Sequence, residues 1–355
     1  MSVSPVPRST VAARGSGVPL LVLAGVAWGT GGLLGNLLGR EAGLSPLAVA
    51  AYRLGLGGIL VLVAAGALTL FHGRRPLLGG AGHRRAALRR VGLLAVLAAA
   101  FQACYFTAVS RTTVGLATLV TIGTAPVVVT AVESVRGRAR RGTLPVVVLA
   151  LLGLGLLVGL PTSARDPLGA LAGTAAAVLA GAAFATMTLV GAAAVPGLDA
   201  MCATGASFVV GGLLLAVPAA VVGGPAVPTT PAGVGLLALF AVVPTALAYT
   251  AYFRGLAAGT SPATGAVMAL LEPLTAAVLA AVVLGERLGL VGTIGGLLLG
   301  TAVLLAARAG RNHDRVARRA DPPGPADTRT GKIDRGRCGG RACPWSGSTS
   351  RWRRD

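Results

Sequence analysis

Residues 22–35 read VLAGVAWGTGGLLG, and residues 178–191 read VLAGAAFATMTLVG, which is the same pattern 156 positions later with Phe184 in place of Trp28. An internal repeat decides the architecture of a chain, because each copy is one structural unit. In membrane proteins the interface between two copies also indicates where a ligand binds. The fold therefore follows from what one copy contains.

The repetition continues along both halves of the chain. Gly57–Gly58 recurs as Gly211–Gly212, 154 positions later, and Tyr105–Phe106 recurs as Tyr252–Phe253, 147 positions later. The offset falls because the basic loop 72–90 of the first copy is longer than the equivalent loop of the second. The chain therefore consists of two copies of one structural unit.

The composition of both copies is typical of a membrane protein. Hydrophobic residues make up 54% of the chain and charged residues 12%, whereas a soluble domain carries about 25% charged residues. A bilayer core about 30 Å thick is crossed by roughly 20 apolar helical residues. The pattern predicts an all-α integral membrane protein in which the lipid bilayer surrounds ten transmembrane helices. The predicted spans are 18–38, 46–68, 91–109, 113–133, 144–161, 168–190, 200–222, 233–253, 262–284 and 289–307.

The distribution of positive charge predicts the orientation. The net charge is +20, and 26 of the 31 Lys and Arg residues fall on one side of the predicted membrane, against four on the other. Positive residues are enriched on the cytoplasmic side, so both termini are predicted to be cytoplasmic in the cell membrane. This bias accounts for the charge without a nucleic-acid partner. Because five spans make one copy, the second copy enters from the opposite face and the repeat is inverted.

These spans divide the chain into four parts. Residues 1–17 form a cytoplasmic segment, residues 18–161 the first repeat, residues 168–307 the second repeat, and residues 308–355 a basic cytoplasmic tail. The tail is poor in aliphatic residues, so we expect disorder. Its positive charge is compatible with contact to anionic lipid, and equally with a solvated tail that has no role.

Two ionisable residues lie well inside predicted spans, where charge is rare and often functional. Arg53 is in span two and Glu272 in span nine; the repeat places Ser207 and Ala125 at the equivalent positions. Each therefore breaks the symmetry of the scaffold, as a substrate-facing residue would. The alternatives are a fixed buried ion pair, or an Arg53 side chain that reaches toward the membrane surface.

Two prolines occupy equivalent mid-span positions, Pro126 and Pro273. A proline inside a helix has no N–H and displaces the carbonyl four residues before it. The carbonyls of Ile122 and Ala269 are therefore predicted to be free near the middle of the membrane, where transporters hold ligands with unwound backbone. A kink that only shapes helix packing is the alternative.

Polar and aromatic residues collect on the central spans and are candidates for the lining of a cavity that binds a small molecule. They are Trp28, Thr30, Gln102, Tyr105, Thr186, Tyr249 and Tyr252. The tyrosines also fit a second interpretation as anchors at the membrane interface.

The sequence contains no recognisable catalytic or cofactor site. His72, His83 and His313 lie in predicted loops or in the tail, and Cys338 and Cys343 have no second pair of ligands for a metal. We therefore predict that the protein is not an enzyme and that it binds no metal or cofactor.

Several of these motifs resemble the EamA family of the drug/metabolite transporter superfamily. They are AWG at 27–29, Arg53, GLATLVTIGTAPV at 115–127, and ALLEPLTAAVLAAVVLGERL at 269–288 before a glycine-rich last span. The resemblance implies a ten-helix bundle of two EamA repeats that exports small metabolites, often amino acids. At the end of span four the family usually has a Gly-Glu pair, whereas here Gly137 is followed by Arg138.

The predicted function is secondary transport, namely export of small metabolites such as amino acids across the plasma membrane. A membrane-embedded sensor or enzyme is the alternative, although no signalling domain or reactive constellation is visible. Glu272 is the predicted proton-sensitive group, and the competing mechanisms are substrate exchange and facilitated diffusion.

Overall fold

The computed structural model describes residues 17–72, 83–138, 142–159, 166–223, 228–283, 285 and 289–320. The regular structure of these residues consists of helices, with one π-helical segment at Val242–Leu247 between α9 and α10. The α-helices are α1 Val18–Gly29, α2 Gly31–Ala42, α3 Pro46–His72, α4 Arg84–Arg111, α5 Val114–Val135, α6 Thr143–Val158, α7 Pro167–Ala192, α8 Ala200–Gly223, α9 Pro231–Ala241, α10 Ala248–Ala257, α11 Pro262–Ala269, α12 Leu271–Val283 and α13 Leu290–Ala320.

Six helices begin after a polar residue whose side chain accepts a hydrogen bond from the first turn. These caps are Ser45, Thr113, Asp166, Asp199, Thr230 and Ser261. A capping oxygen satisfies one of the backbone N–H groups that the helix start leaves unpaired. After Ser45, Asp166, Thr230 and Ser261 the next residue is proline, which has no N–H and fits the first helical position. The sequence therefore fixes these starting points locally.

Nine segments of the described residues are long and apolar enough to cross a membrane. Large apolar side chains such as Val63, Val96 and Leu213 are exposed on the outside of the bundle, as lipid contact requires. The protein is therefore a multi-pass membrane protein. The tenth predicted span, 144–161, corresponds to α6, which has only 16 residues. Such a helix is about 24 Å long, so α6 is the one predicted span that falls short of the length criterion.

Three of the predicted spans are interrupted helices. α1 and α2 meet at Thr30, and α11 and α12 meet at Leu270. Between α9 and α10 the helix widens into the π-helical segment, which contains Pro244. Because proline has no N–H, the regular i to i−4 bonding fails there. The Thr245 hydroxyl instead donates to the Phe240 carbonyl, five residues back, at 3.0 Å.

The crossing of α3 and α8 shows the symmetry of the two halves. A Cβ atom added to Gly58 would lie 2.6 Å from the backbone nitrogen of Val209, and one added to Gly212 would lie 2.5 Å from that of Gly55. Gly58 corresponds to Gly212 and Gly55 to Val209 in the repeat, so one contact is the image of the other. The two helices run antiparallel through these contacts. A two-fold axis perpendicular to the helices therefore relates the halves at this crossing.

The last helix continues beyond the predicted end of the second repeat. The sequence predicts disorder for residues 308–320, but α13 extends to Ala320. Alanine and arginine are frequent in this segment and are strong helix formers. The helix therefore continues beyond the apolar segment because of their helix propensity. Residues 1–16 and 321–355 lie outside the described residues, so the predicted lipid contact of the tail stays a prediction.

Candidate functional site

A cavity of about 450 Å³, the large cavity, lies between the two halves of the bundle. It extends from the middle of the helices to the end where α2 and α4 finish and α3 and α5 begin. Its wall is formed by Trp28, Gly31, Gly32, Gly35, Gly39, Arg40, Leu44, Pro46, Val49, Arg53, Phe101, Gln102, Tyr105, Phe106, Val109, Val114, Thr121, Ile122, Ala125, Phe184, Phe240, Tyr249, Ala269 and Glu272. Residues from both copies therefore line one space.

An aromatic floor, made of Trp28, Phe184 and Tyr249, lines the inner end of the large cavity, and the Tyr252 ring packs against Trp28 outside the wall. The Trp28 ring centroid lies 5.7 Å from that of Phe184, in an edge-to-face arrangement, and 5.0 Å from that of Tyr249. Trp28 and Phe184 are equivalent positions of the repeat, so the two copies meet here. Edge-to-face contacts of this kind hold rings in fixed orientations. The floor is therefore a rigid apolar surface.

Arg53 projects from α3 toward the π-helical segment. Its Nε donates to the Thr245 hydroxyl and one Nη donates to the Pro244 carbonyl, both at 3.2 Å. The centre of the guanidinium lies 5.2 Å from the Phe240 ring centroid and 5.9 Å from that of Tyr249, a cation–π arrangement. Two hydrogen bonds and two rings thus fix a positive charge on the cavity wall.

Glu272 is the acidic residue on the described wall of the large cavity. It lies in the first turn of α12, directly after the interruption at Leu270, where the start of a helix favours an acidic side chain. Arg53 is a basic residue on the same wall. Within the part of the chain that the structure describes, no N–O distance of 4.0 Å or less joins the two side chains. The fixed ion pair considered from the sequence is therefore not formed in this structure.

Two buried hydrogen-bond donors on the cavity wall have no partner among the described residues. They are Trp28 Nε1 and Gln102 Nε2, on side chains that are 3% and 1% exposed. A buried donor without an acceptor is unfavourable by about 1–3 kcal/mol, so such groups are rare in folded proteins. A ligand that brings an acceptor into the cavity would remove this deficit if the Trp28 or Gln102 side chain turned its N–H toward the ligand.

The structure brings five of the eight predicted binding residues together on the wall of the large cavity. These are Trp28, Arg53, Gln102, Tyr105 and Glu272. The predicted Tyr249 lies there too, and the Tyr105 hydroxyl is hydrogen bonded to that of Thr118 at 2.9 Å.

The other three predicted residues are not part of the wall. The Thr30 hydroxyl donates to Ala27 O, the Thr186 hydroxyl donates to Ala182 O, and the Tyr252 hydroxyl bonds to Thr188. Residues two apart on a helix point about 200° apart, so Thr30 and Thr186 cannot share the face of Trp28 and Phe184. The residues of the two copies that meet at the cavity wall are therefore Trp28 and Phe184.

The two equivalent prolines behave differently. α5 continues through Pro126 without interruption, whereas the helix that contains Pro273 is divided at Leu270, three residues earlier. Ile122 and Ala269 both line the large cavity, and the freeing of their carbonyls by the prolines stays a prediction.

Sequence reasoning missed several wall residues, chiefly Arg40, Phe101 and Phe240. Arg40 lies after the predicted end of the first span, 18–38, whereas the structure places it in the last turn of α2. Phe101 and Phe240 carry no signal that separates them from lipid-facing phenylalanines. Phe101 directly precedes Gln102 and Phe240 lies five residues before Thr245, and these polar neighbours could have indicated a polar face.

Comparison with known proteins gives a consistent result. The profile of the EamA-like transporter family matches residues 15–159 and again residues 171–308. A Bacillus subtilis (strain 168) protein named "Uncharacterized transporter YwfM" is 30% identical over 298 residues, which cover 82% of this chain and 94% of that protein. A solved structure titled only "Crystal structure of protein" aligns with a TM-score of 0.68 at 17% identity, over 84% of this chain and 98% of its own.

Proposed function

Because the chain belongs to the EamA-like transporter family, we propose that it exports a small zwitterionic metabolite, such as an amino acid, across the plasma membrane. The observation that carries this proposal is the pair of opposite charges, Arg53 and Glu272, which share one cavity without bonding to each other. A zwitterion offers each of them a counter-ion.

The chemistry of the wall supports this substrate class. A carboxylate accepts hydrogen bonds readily from a guanidinium, and the unpartnered donors of Trp28 and Gln102 are further partners for an acceptor. Glu272 suits a substrate ammonium. The aromatic floor suits an apolar side chain of the same molecule. A cavity of about 450 Å³ is within the size range of small-molecule sites.

The experiment that tests the proposal is transport in proteoliposomes. Purified full-length protein would be assayed for uptake and efflux against a panel of amino acids, together with the corresponding amines and carboxylic acids that lack one charge. We expect transport of at least one zwitterion and at least tenfold weaker transport of both singly charged analogues. Equal transport of an analogue that lacks the carboxylate would contradict the proposal.

Replacement of Arg53 by alanine is expected to raise the half-saturating concentration of a zwitterionic substrate about tenfold or more. A hydrogen bond to a charged group contributes about 1.5–3 kcal/mol, and Arg53 is the fixed cation near the aromatic floor. The measurement is initial rate against substrate concentration. Arg111→Ala is the matched control, because Arg111 is exposed at a helix end; a similar loss in that variant would show that the effect is not specific to the cavity.

We further propose that the arginine-rich end of the bundle faces the cytoplasm. The loop between α3 and α4 carries Gly79, which lies outside the described residues, and α4 begins with the exposed Arg84 and Arg85. A cysteine at Gly79, in a chain without its native cysteines, is expected to react with an impermeant thiol reagent only after the membrane is permeabilised. In this orientation the large cavity opens at the outer side of the membrane, because it lies at the other end of α4. Labelling of intact cells from outside would contradict the orientation and this placement of the cavity.

A further inference from the structure

A second, smaller cavity lies at the opposite end of the bundle from the large cavity. Its volume is about 130 Å³, and its wall includes Arg90, Gly191, Ala203 and Phe253. It is located where α7 and α10 end and where α4 and α8 begin. We call it the small cavity; it belongs to the arginine-rich end of the protein.

The internal repeat relates the walls of the two cavities. Gly35, Val49 and Phe106 line the large cavity, and their equivalents in the second copy are Gly191, Ala203 and Phe253, which line the small cavity. The offsets are the same 156, 154 and 147 positions by which the sequence repeats. The small cavity is therefore built from the same parts of the repeat as the mouth of the large one.

The two ends of the bundle are nevertheless in different states. A Cβ atom added to Gly35 would meet, among the described residues, only the Phe240 ring, at 3.5 Å. A Cβ atom added to Gly191 would lie 2.5 Å from the ring of Phe253. The equivalent phenylalanine, Phe106, does not approach Gly35 in this way. The same arrangement is thus open at one end and collapsed at the other.

Arg90 makes a contact across the collapsed end that has no counterpart in the repeat. Its Nη2 donates to the Gly191 carbonyl at 3.0 Å and so joins α4 to the end of α7. The position equivalent to Arg90 in the second copy is Leu237, which has no donor in its side chain. The bond therefore acts at one end of the molecule only.

We infer that the small cavity is the closed far entrance of the pathway that begins in the large cavity, and that the Arg90–Gly191 hydrogen bond holds it closed. The inference rests on the proposed function, because a transport pathway has two entrances that open in turn around one binding site. When the far entrance opens, Arg90 releases Gly191 and Phe253 moves away from the end of α7. By symmetry, Phe106 then packs on Gly35 and the large cavity closes.

The test is reciprocal accessibility of two equivalent wall positions. Single cysteines at Val49 and at Ala203 would be introduced into the full-length chain after replacement of Cys104, Cys202, Cys338 and Cys343. Their rates of reaction with a small thiol reagent would be measured in open membranes with Arg90 and with Arg90→Ala. We expect Arg90→Ala to raise the rate at position 203 about tenfold and to lower the rate at position 49, since one opening excludes the other.

Two controls make the result decisive. Phe253→Ala removes the ring that packs on Gly191 and is expected to shift both rates in the same directions, so a failure of Arg90→Ala to fold does not end the test. Arg90→Lys, which keeps a charge and a donor, is expected to give a smaller change. A faster reaction at position 203 with no decrease at position 49 would show local loosening only and would overturn the inference, as would unchanged rates at both positions.

The labelling needs no substrate, so its outcome is separable from that of the proposed function. Absence of amino acid transport would refute the substrate class and leave reciprocal labelling intact. Amino acid transport without reciprocal labelling would refute the assignment of the small cavity alone.

Discussion

Replacement of Glu272 by glutamine is expected to abolish the dependence of transport on a pH gradient. Arg40, Arg53, Tyr105 and Tyr249 are the other titratable side chains on the wall of the large cavity, and arginine and tyrosine ordinarily keep their protons at neutral pH. Glu272 is thus the carboxyl group, within the described part of the wall, that can bind a proton on one side of the membrane and release it on the other. Glutamine preserves the shape and removes the titration.

The measurement is efflux from proteoliposomes with and without an imposed pH gradient. The efflux rate of the wild-type protein is expected to rise several-fold when the outer solution is more acidic than the inner one. The Glu272→Gln variant is expected to give the same efflux rate with and without this gradient. Glu41→Gln is the control, because Glu41 is exposed and accepts a hydrogen bond from Thr230 away from the cavity. A full gradient response in Glu272→Gln would exclude Glu272 as the coupling group and leave exchange or facilitated diffusion as the mechanism.

Replacement of Gly58 by leucine is expected to destabilise the folded protein severely. The site for a Cβ atom there is 2.6 Å from Val209 N and 2.8 Å from Gly205 O, and these are backbone atoms of a helix that cannot rotate away. Overpacking of a well-packed site costs typically about 1–3 kcal/mol and occasionally more, so we expect about 3 kcal/mol or more at this crossing. Thermal inactivation in detergent and the yield of monodisperse protein would measure it.

The same helix provides a matched control for this prediction. Gly66, also in α3, has nothing within 4 Å of its Cβ site, so Gly66→Leu is expected to be close to neutral. Because the crossing is symmetric, Gly212→Leu is expected to be as harmful as Gly58→Leu. A stable Gly58→Leu variant, or a neutral Gly212→Leu variant, would contradict the close two-fold contact of α3 and α8.

The sequence by itself determined the membrane class, the repeat and the family. These follow from local properties: runs of apolar residues long enough to cross a bilayer, and two copies of one pattern such as the one that ends in Gly35 and in Gly191. Arg53 and Glu272 could also be identified as candidate site residues, because a charged residue inside an apolar span is visible in the sequence without any structure. The helix caps at Asp166 and Ser261 belong to the same local category.

Only the tertiary structure decided which face of each helix meets the pathway and which end of it is open. Thr30 and Tyr252 carry polar groups at suitable depth, but their hydroxyls are used within the bundle, while the unremarkable Phe240 reaches the cavity wall. Equivalent residues also differ in state: Phe253 packs on Gly191, and Phe106 does not pack on Gly35. The physical reason is that the direction of a side chain and the closure of an entrance depend on contacts between helices that are far apart in the chain. In an inverted repeat both ends of the bundle also carry the same sequence pattern, so the pattern alone does not distinguish the open end from the closed one.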